Sequence, residues 1–186
     1  MCCCATLRGS EKYSNRKTGG SHTSAAEQKY PVLSIDDLKA LPIKEVMNKN
    51  SVIFLWATNP LLPEALDVMA SWGFHYKTSL VWRKTGRLGL GYWFRGNTEY
   101  LLFGVRGNIK SFRLQETNLY ESKPQKHSRK PEYYYDLIDR ATKNIPDRRM
   151  LEIFATQRWP EWTSLGLEID GRDIRDSLKE VINEQR

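Results

Sequence analysis

The chain alternates between continuous apolar runs of strand length and segments in which apolar residues recur at helical spacing. The clearest run is SVIFLWA at 51–57, and further strand-like runs lie at 75–82, 99–106 and 149–155. A run that is apolar throughout is expected for a strand covered on both faces, as in parallel sheets. These runs therefore predict four strands of one buried sheet.

Four other segments carry helix signals. Ser34 is a good N-cap for a short amphipathic helix that Pro42 ends, and a terminal glycine closes a second helix at 61–72. A third helix at 131–142 begins with proline, and a charged fourth helix covers 173–184. Strands separated by helices predict an α/β fold with a largely parallel sheet.

The length of 186 residues predicts a single domain with flanking segments. Residues 1–29 are polar and rich in Gly, Ser and Thr, which predicts a flexible N-terminal segment. The folded domain is predicted to span 30–170, and 171–186 to form a charged C-terminal helix. This helix is interpreted as a solvated cap, with a partner-binding helix as the alternative.

The charge and the cysteines narrow the class of protein. A formal net charge of +7 favours an anionic partner, for which nucleic acid is the commonest candidate. No apolar run approaches the roughly 20 residues that span a bilayer, so no membrane partner is predicted. The three cysteines are Cys2, Cys3 and Cys4, with no His or Cys at ligand spacing elsewhere, so no metal site is predicted. Without the apolar core of a secretory signal, a cytoplasmic location is predicted.

Candidate chemistry lies where the strands end, because ligands of α/β sheets bind at the carboxyl ends of strands. Polar side chains follow the runs there: Asn59 after the first, Lys84 after the second, and Thr156 to Arg158 after the last. Glu152 lies inside an apolar run, where a carboxylate costs several kcal/mol unless it is paired. A ligand role and a structural ion pair are both open for it.

The segment 82–108 combines glycines, cations and aromatic residues. The glycines allow close backbone approach, Arg95 offers a phosphate contact, and Trp93 and Phe94 offer faces on which bases stack. It contains neither a P-loop nor a dinucleotide-binding fingerprint. Two interpretations are open: a nucleic-acid clamp, or core aromatic residues that flank a surface turn.

Several motifs in order resemble the MT-A70 family. They are Tyr30-Pro31 before SIDDL, LWATNPLLPEALDVMASWGF, W-x-K followed by G-R-x-G-x-G-Y-W-F-R-x-x-x-E, SRKPE, and LEIFATQRWPEWTSLG. The resemblance covers about residues 12–170 and is closest to prokaryotic and phage members. Each motif alone is weak, whereas their combination is specific.

The resemblance implies a Rossmann-like, three-layer methyltransferase that uses S-adenosylmethionine and methylates the exocyclic N6 amine of adenine in DNA or RNA. It leaves open whether the chain pairs with itself or with a companion subunit. It places six residues at the donor: Lys130, Glu152, Phe154, Thr156, Arg158 and Glu168. It places four residues on the substrate side. Tyr30 lies in a loop that faces the adenine, and Trp93, Arg95 and Glu99 lie in a second loop that closes over the site. Leu167 departs from the family pattern, which has Asn there beside the donor's ribose.

One departure concerns catalysis. The family's signature, Asp-Pro-Pro followed by an aromatic residue, ends a buried strand shortly before Tyr13, and this sequence has MCCCATLRGSEK in that place. No catalytic residue can therefore be assigned, and we predict a sheet that lacks its first strand. Either the chain is a truncated or frame-shifted reading of an enzyme gene, which we favour, or it is a catalytically inactive nucleic-acid-binding companion or scaffold subunit.

Overall fold

A seven-stranded mixed sheet forms the centre of the part of the chain that the computed structural model describes, which comprises residues 33–86, 93–110, 114–124 and 129–185, and the backbone of 2–6. The strands are β1 (Cys2–Thr6), β2 (Ser51–Thr58), β3 (His75–Lys84), β4 (Thr98–Arg106), β5 (Leu119–Ser122), β6 (Met150–Ile153) and β7 (Trp162–Leu165). Their order across the sheet is β5-β3-β4-β2-β1-β6-β7.

Strand β4 is antiparallel to both of its neighbours, β2 and β3, whereas every other pairing between the described strands is parallel. The carboxyl ends of six strands and the amino end of β4 therefore meet at one edge, which we call the carboxyl edge. In the β4 register, Glu99 lies opposite Thr58 of β2 and Trp82 of β3. The start of β4 is thus level with the ends of its neighbours, where ligands of α/β sheets bind.

Helices cover both faces of this sheet. They are α1 (Ile35–Lys39), α2 (Ile43–Val46), α3 (Leu62–Ser71), α4 (Glu132–Thr142), α5 (Leu167–Asp170) and α6 (Ile174–Glu184). One buried cluster joins α1, α2, α3 and α6 to the sheet, and a second joins α4 to the opposite face. The predicted α/β class is confirmed.

The predicted helices and long strands form because their local signals agree with their packing. Ser34 caps α1 in a capping box: its hydroxyl accepts a hydrogen bond from the Asp37 amide at 3.1 Å. The C-terminal helix α6 buries Ile174 and Leu178 in the same core as α1 and α2. Its charged residues lie on the outer side, so α6 contributes to the hydrophobic core through its apolar stripe.

The prediction that the first strand is missing was wrong. Residues Cys2–Thr6 form β1, which pairs in parallel with β2 and β6 in the middle of the sheet. Three cysteines, an alanine and a threonine are too short and too irregular a run to predict a strand by themselves. Backbone hydrogen bonds to two neighbouring strands can nevertheless hold such a segment in a ladder. The remainder of the predicted flexible segment, residues 7–29, lies outside the described residues.

The short strands β5 and β7 are absent from the sequence-based prediction. Each has four residues and lies at an edge of the sheet, where one described strand pairs with it. Their apolar patterns are too short to distinguish a strand from a loop by sequence alone. Pairing with the neighbouring strands determines their conformation. In the described part of the chain, we find no helix with the length and hydrophobicity to cross a membrane.

Candidate active site

Glu99 is the centre of the candidate site. It is the second residue of β4, as the strand predicted at 99–106 requires, and it does not lie in the loop that the resemblance implies. Only 9 % of its surface is exposed. Because side chains alternate along a strand, Glu99 shares its face with Leu101, which packs in the α4 cluster. Its carboxylate Oε1 accepts a hydrogen bond from Lys84 Nζ, and Oε2 accepts one from Lys130 Nζ. We call these three residues the lysine–glutamate cluster.

The two lysines keep the buried Glu99 ionised. Burial raises the pKa of this carboxyl, but the charge and hydrogen bond of Lys130, followed by those of Lys84, more than reverse the effect. The pKa of Glu99 therefore lies below its ordinary value. At neutral pH the site holds a carboxylate that accepts hydrogen bonds.

Two tryptophans form the floor of the lysine–glutamate cluster. Lys130 Nζ lies 4.8 Å from the ring centroid of Trp56, and Lys84 Nζ lies 5.0 Å from that of Trp82. The two rings meet edge to face at 6.3 Å. Ammonium groups over aromatic faces gain cation–π attraction, which is strengthened where water is excluded. Both rings are buried, so they support the two ammonium groups from below.

Tyr134 of α4 packs beside the lysine–glutamate cluster. Its ring packs edge to face on Trp56 at 4.9 Å, and its side chain is almost fully buried. Burial raises the pKa of the Tyr134 hydroxyl, and the nearby Glu99 charge adds to this effect. Among the described residues, the hydroxyl has no hydrogen-bond partner. It is therefore a neutral hydroxyl group in the wall beside the cluster.

Glu152 lies on the other side of β1, in β6. It is buried, and its Oε1 accepts a hydrogen bond from the Tyr135 hydroxyl at 2.7 Å. The Tyr135 ring stacks on Trp159 with centroids 4.2 Å apart. Lys130 and Tyr135 lie just before and within the first turns of α4, so the start of this helix contacts both Glu99 and Glu152.

The turn after β6 has an unusual backbone conformation. Phe154 has a φ of 60°, a left-handed conformation that a bulky residue rarely adopts. The Ala155 amide donates to the Leu165 carbonyl at 2.9 Å, and a Cβ on Gly166 would lie 2.7 Å from the Ala155 oxygen. Strained backbone of this kind persists mainly at sites where the surrounding structure and function require it. The hydrogen bond between Ala155 and Leu165 joins the ends of β6 and β7, and Gly166 permits their close approach.

Other residues that the resemblance assigns to the donor lie around this turn. Thr156 is partly buried directly after it, and Arg158 donates to the Ile169 carbonyl at 3.4 Å, which links the turn to α5. Glu168 is exposed within α5. The structure therefore arranges the predicted donor residues in two groups, Lys130 at the lysine–glutamate cluster and the others around β6 and β7.

The residues predicted to contact nucleic acid before β4 are exposed at the surface. Trp93 is 85 % and Phe94 is 90 % exposed, and Arg95 beside them is also exposed. The interpretation of Trp93 and Phe94 as core aromatic residues was therefore wrong. Tyr30 lies outside the described residues.

Sequence reasoning missed the pairing of Lys84 with Glu99 and the roles of Trp56, Trp82 and Tyr135. Lys84 carried one signal, its position directly after a strand, but nothing in the sequence named its partner. The tryptophans looked like ordinary core residues, because strand-length apolar runs contain such side chains whatever lies above them.

Comparison with known proteins identifies the family. The sequence model of the MT-A70 family matches residues 10–168. The chain is 31 % identical over 170 residues to the Type II methyltransferase M.MunI of Mycoplasma sp, a match that covers 88 % of this chain and 70 % of that protein. It is 27 % identical over 163 residues to an N(6)-adenosine-methyltransferase MT-A70-like protein of Arabidopsis thaliana, covering 82 % of this chain and 23 % of that relative. A Drosophila melanogaster protein of the same description is 28 % identical over 160 residues, covering 81 % of this chain and 26 % of that relative. The chain thus spans about a quarter of the length of these plant and insect relatives, and it belongs to the MT-A70 family.

Proposed function

We propose that the chain is an adenine-N6 methyltransferase domain that takes its methyl group from S-adenosylmethionine and acts on DNA or RNA. The observation that carries this proposal is the buried carboxylate of Glu99, which Lys84 and Lys130 hold ionised at the carboxyl edge. The names of the relatives support methyl transfer to adenine. Helices on both faces of the sheet support a Rossmann-like, three-layer arrangement.

Glu99 suits the acceptor amine. The lone pair of the adenine amine is delocalised into the ring, so the amine is a poor nucleophile that benefits from hydrogen bonds to an acceptor. A carboxylate has about four lone-pair positions, and two of those on Glu99 are used by the lysines. The remaining positions can accept the amine hydrogens. Trp56 and Trp82 are buried beneath the two ammonium groups, so their contribution is to hold the lysines in place.

The donor side is formed by the turn after β6. When bound, S-adenosylmethionine supplies an electrophilic methyl group on a sulfonium. The left-handed Phe154 turns the chain sharply at the end of β6, and the close approach at Gly166 packs the end of β7 against this turn. Thr156 and Arg158 line the same end of β6, with Glu168 on the ribose side. Glu152 supports the wall through its hydrogen bond with Tyr135.

The exposed Trp93, Phe94 and Arg95 suit the nucleic-acid strand that carries the target. Aromatic faces stack on unpaired bases, and arginine binds phosphate in a salt-dependent manner. The net charge of +7 favours the same partner. Tyr30 is assigned to the adenine side on the resemblance alone.

Calorimetric titration with S-adenosylmethionine tests the donor site directly. The wild-type chain should bind, and Lys130→Ala should bind more weakly because it removes an ammonium group from the site. Lys143→Ala is the matched control, since this exposed lysine lies at the far end of α4. Equal affinity of both variants and the wild type would contradict the assignment of Lys130.

Methylation assays on adenine-containing single- and double-stranded oligonucleotides then test the reaction. We expect slow turnover by this chain, because its sequence has no Asp-Pro-Pro motif. The same feature favours the second candidate function, a nucleic-acid-binding companion subunit. A companion subunit should bind oligonucleotides without measurable binding of S-adenosylmethionine, whereas an enzyme should bind oligonucleotides and S-adenosylmethionine.

A further inference from the structure

The two lysines of the lysine–glutamate cluster have different structural settings. Each oxygen of Glu99 accepts a hydrogen bond from a different ammonium group, Oε1 from Lys84 and Oε2 from Lys130. Two cations on one carboxylate leave a surplus positive charge. One ammonium can therefore turn to a second ligand while the other keeps the carboxylate paired.

Lys84 is held in a regular strand. Its amide donates to the Asn97 carbonyl at 2.6 Å, and its ammonium lies over Trp82. Trp82 is itself fixed, because its Nε1 donates to Ser122 Oγ at 2.9 Å and its ring is buried. Side chains on regular elements with supported neighbours hold a site geometry more closely than side chains on connecting segments do.

Lys130 lies in a connecting segment. It precedes α4 and its N-cap residue Pro131, outside the regular elements. The proposed function also places it at the donor, so Lys130 has two possible partners while Lys84 has Glu99. The two ammonium groups therefore suit different tasks.

We propose that Lys84 is a positioning residue for methyl transfer: it holds the Glu99 carboxylate oriented and ionised for the adenine amine while Lys130 serves the donor. This role rests on the proposed function. Lys84 acts through Glu99 and does not contact the reacting atoms. It performs this task from the end of β3, where the antiparallel neighbour β4 presents Glu99.

The ionisation of Glu99 connects this geometry to a measurable quantity. Among the residues that the structure describes, three titratable groups face its carboxyl: Lys84 from β3, Lys130 from the segment before α4, and Tyr134 from α4. Without Lys84, burial is opposed by Lys130 alone, and the pKa of Glu99 rises. A protonated carboxyl carries a hydrogen on one oxygen and can no longer accept at that position.

NMR titration of ¹³C-labelled glutamate carboxyl groups tests this role without relying on activity. The carboxyl resonance that is present in the wild type and missing from Glu99→Gln belongs to Glu99. We expect the Glu99 pKa to rise by about one unit or more in Lys84→Met, which is the usual effect of losing a neighbouring opposite charge. Lys84→Arg should restore a low value. Lys123→Met is the matched control, since this exposed lysine directly follows β5 at the same edge and should leave the pKa unchanged.

Binding measurements separate the two lysines. Lys84→Met should bind S-adenosylmethionine as the wild type does. In a plot of its methyl-transfer rate against pH, the acid limb should move to higher pH by the rise in the Glu99 pKa that NMR measures. An unchanged Glu99 pKa in Lys84→Met would overturn the role of Lys84. Loss of donor affinity in Lys84→Met equal to that in Lys130→Ala would overturn the division of tasks. A wild-type chain that binds no S-adenosylmethionine would instead overturn the proposed function, while the NMR result would still decide whether Lys84 controls the ionisation of Glu99.

Discussion

Glu99 illustrates how a single side chain can set the chemistry of a site. A buried carboxylate is unstable unless its charge is compensated, and here each oxygen has its own ammonium partner. The lysines in turn rest on Trp56 and Trp82. Removing one member leaves the others incompletely paired, so the proposed function of Glu99 and the stability of the fold depend on the same contacts.

Glu99→Gln should therefore lower both stability and methyl transfer. Breaking a buried ion pair from one side costs about 3 kcal/mol, because the opposing charge remains buried and unpaired. Urea unfolding at pH 7 should show a loss of this order. A variant as stable as the wild type would show that solvent compensates the lysines.

The pH dependence of stability in the wild type and in Glu99→Gln tests the lowered pKa of Glu99. The pKa of Glu99 is lowered from an ordinary value of 4.5, so its stabilising contribution is fully present above that pH and is lost as the pH falls through the lowered value. The stability difference between wild type and Glu99→Gln should thus shrink below about pH 4.5. A difference that stays constant down to pH 3 would contradict the lowered pKa.

At the scale of elements, the turn after β6 packs against the end of β7 at the proposed donor side. The left-handed Phe154 ends β6, and Gly166 lets the end of β7 approach the Ala155 backbone. Neither feature belongs to a regular helix or strand. Both depend on two strands that lie side by side, β6 and β7.

Gly166→Ala tests this turn. Its Cβ would meet the backbone oxygen of Ala155 at 2.7 Å, and backbone cannot move aside as a flexible side chain can. We expect a loss of about 3 kcal/mol in unfolding free energy and weaker binding of S-adenosylmethionine in calorimetry.

Gly171→Ala is the control for that substitution. Gly171 has a φ of 72°, but a Cβ there would meet nothing within 4 Å. Only the conformational cost of about 1 kcal/mol applies, and donor binding should be unchanged. Equal effects of the two substitutions would indicate that backbone conformation, not close approach, matters at Gly166.

At the scale of the whole molecule, strand direction concentrates the chemistry on one side. Because β4 alone among the described strands runs antiparallel, its first residues join the ends of the parallel strands. The exposed Trp93, Phe94 and Arg95 immediately precede β4 and therefore lead into the same edge. The surplus positive charge of the chain can then act on a polyanion near the site.

Arg95→Ala should weaken oligonucleotide binding and its dependence on salt. Loss of one phosphate contact should reduce the slope of log affinity against log salt by about 0.7 for a single strand and about 0.9 for a duplex. Lys49→Ala is the control, since this exposed lysine precedes β2 at the opposite edge of the sheet. If Arg95→Ala binds as the control does, the loop contributes structure and not binding.

The sequence by itself determined the type of the long elements, the α/β class and the family. The strand at 51–57 and the helix at 131–142 could be predicted because their apolar spacing and end signals are local properties. The donor and substrate assignments came from the order of the family's motifs, and the fold class followed from strands that alternate with helices.

Only the tertiary structure decided which residues meet. Lys84 and Lys130 are 15 and 31 residues from Glu99 along the chain, and they converge on it because β4 turns back beside β3 and α4 starts over the same face. The place of Cys2–Thr6 in the middle of the sheet was decided in the same way, by pairing with β2 and β6. Periodicity reports the environment of a residue along its own element, whereas strand order and direction depend on contacts between distant segments that no local pattern encodes.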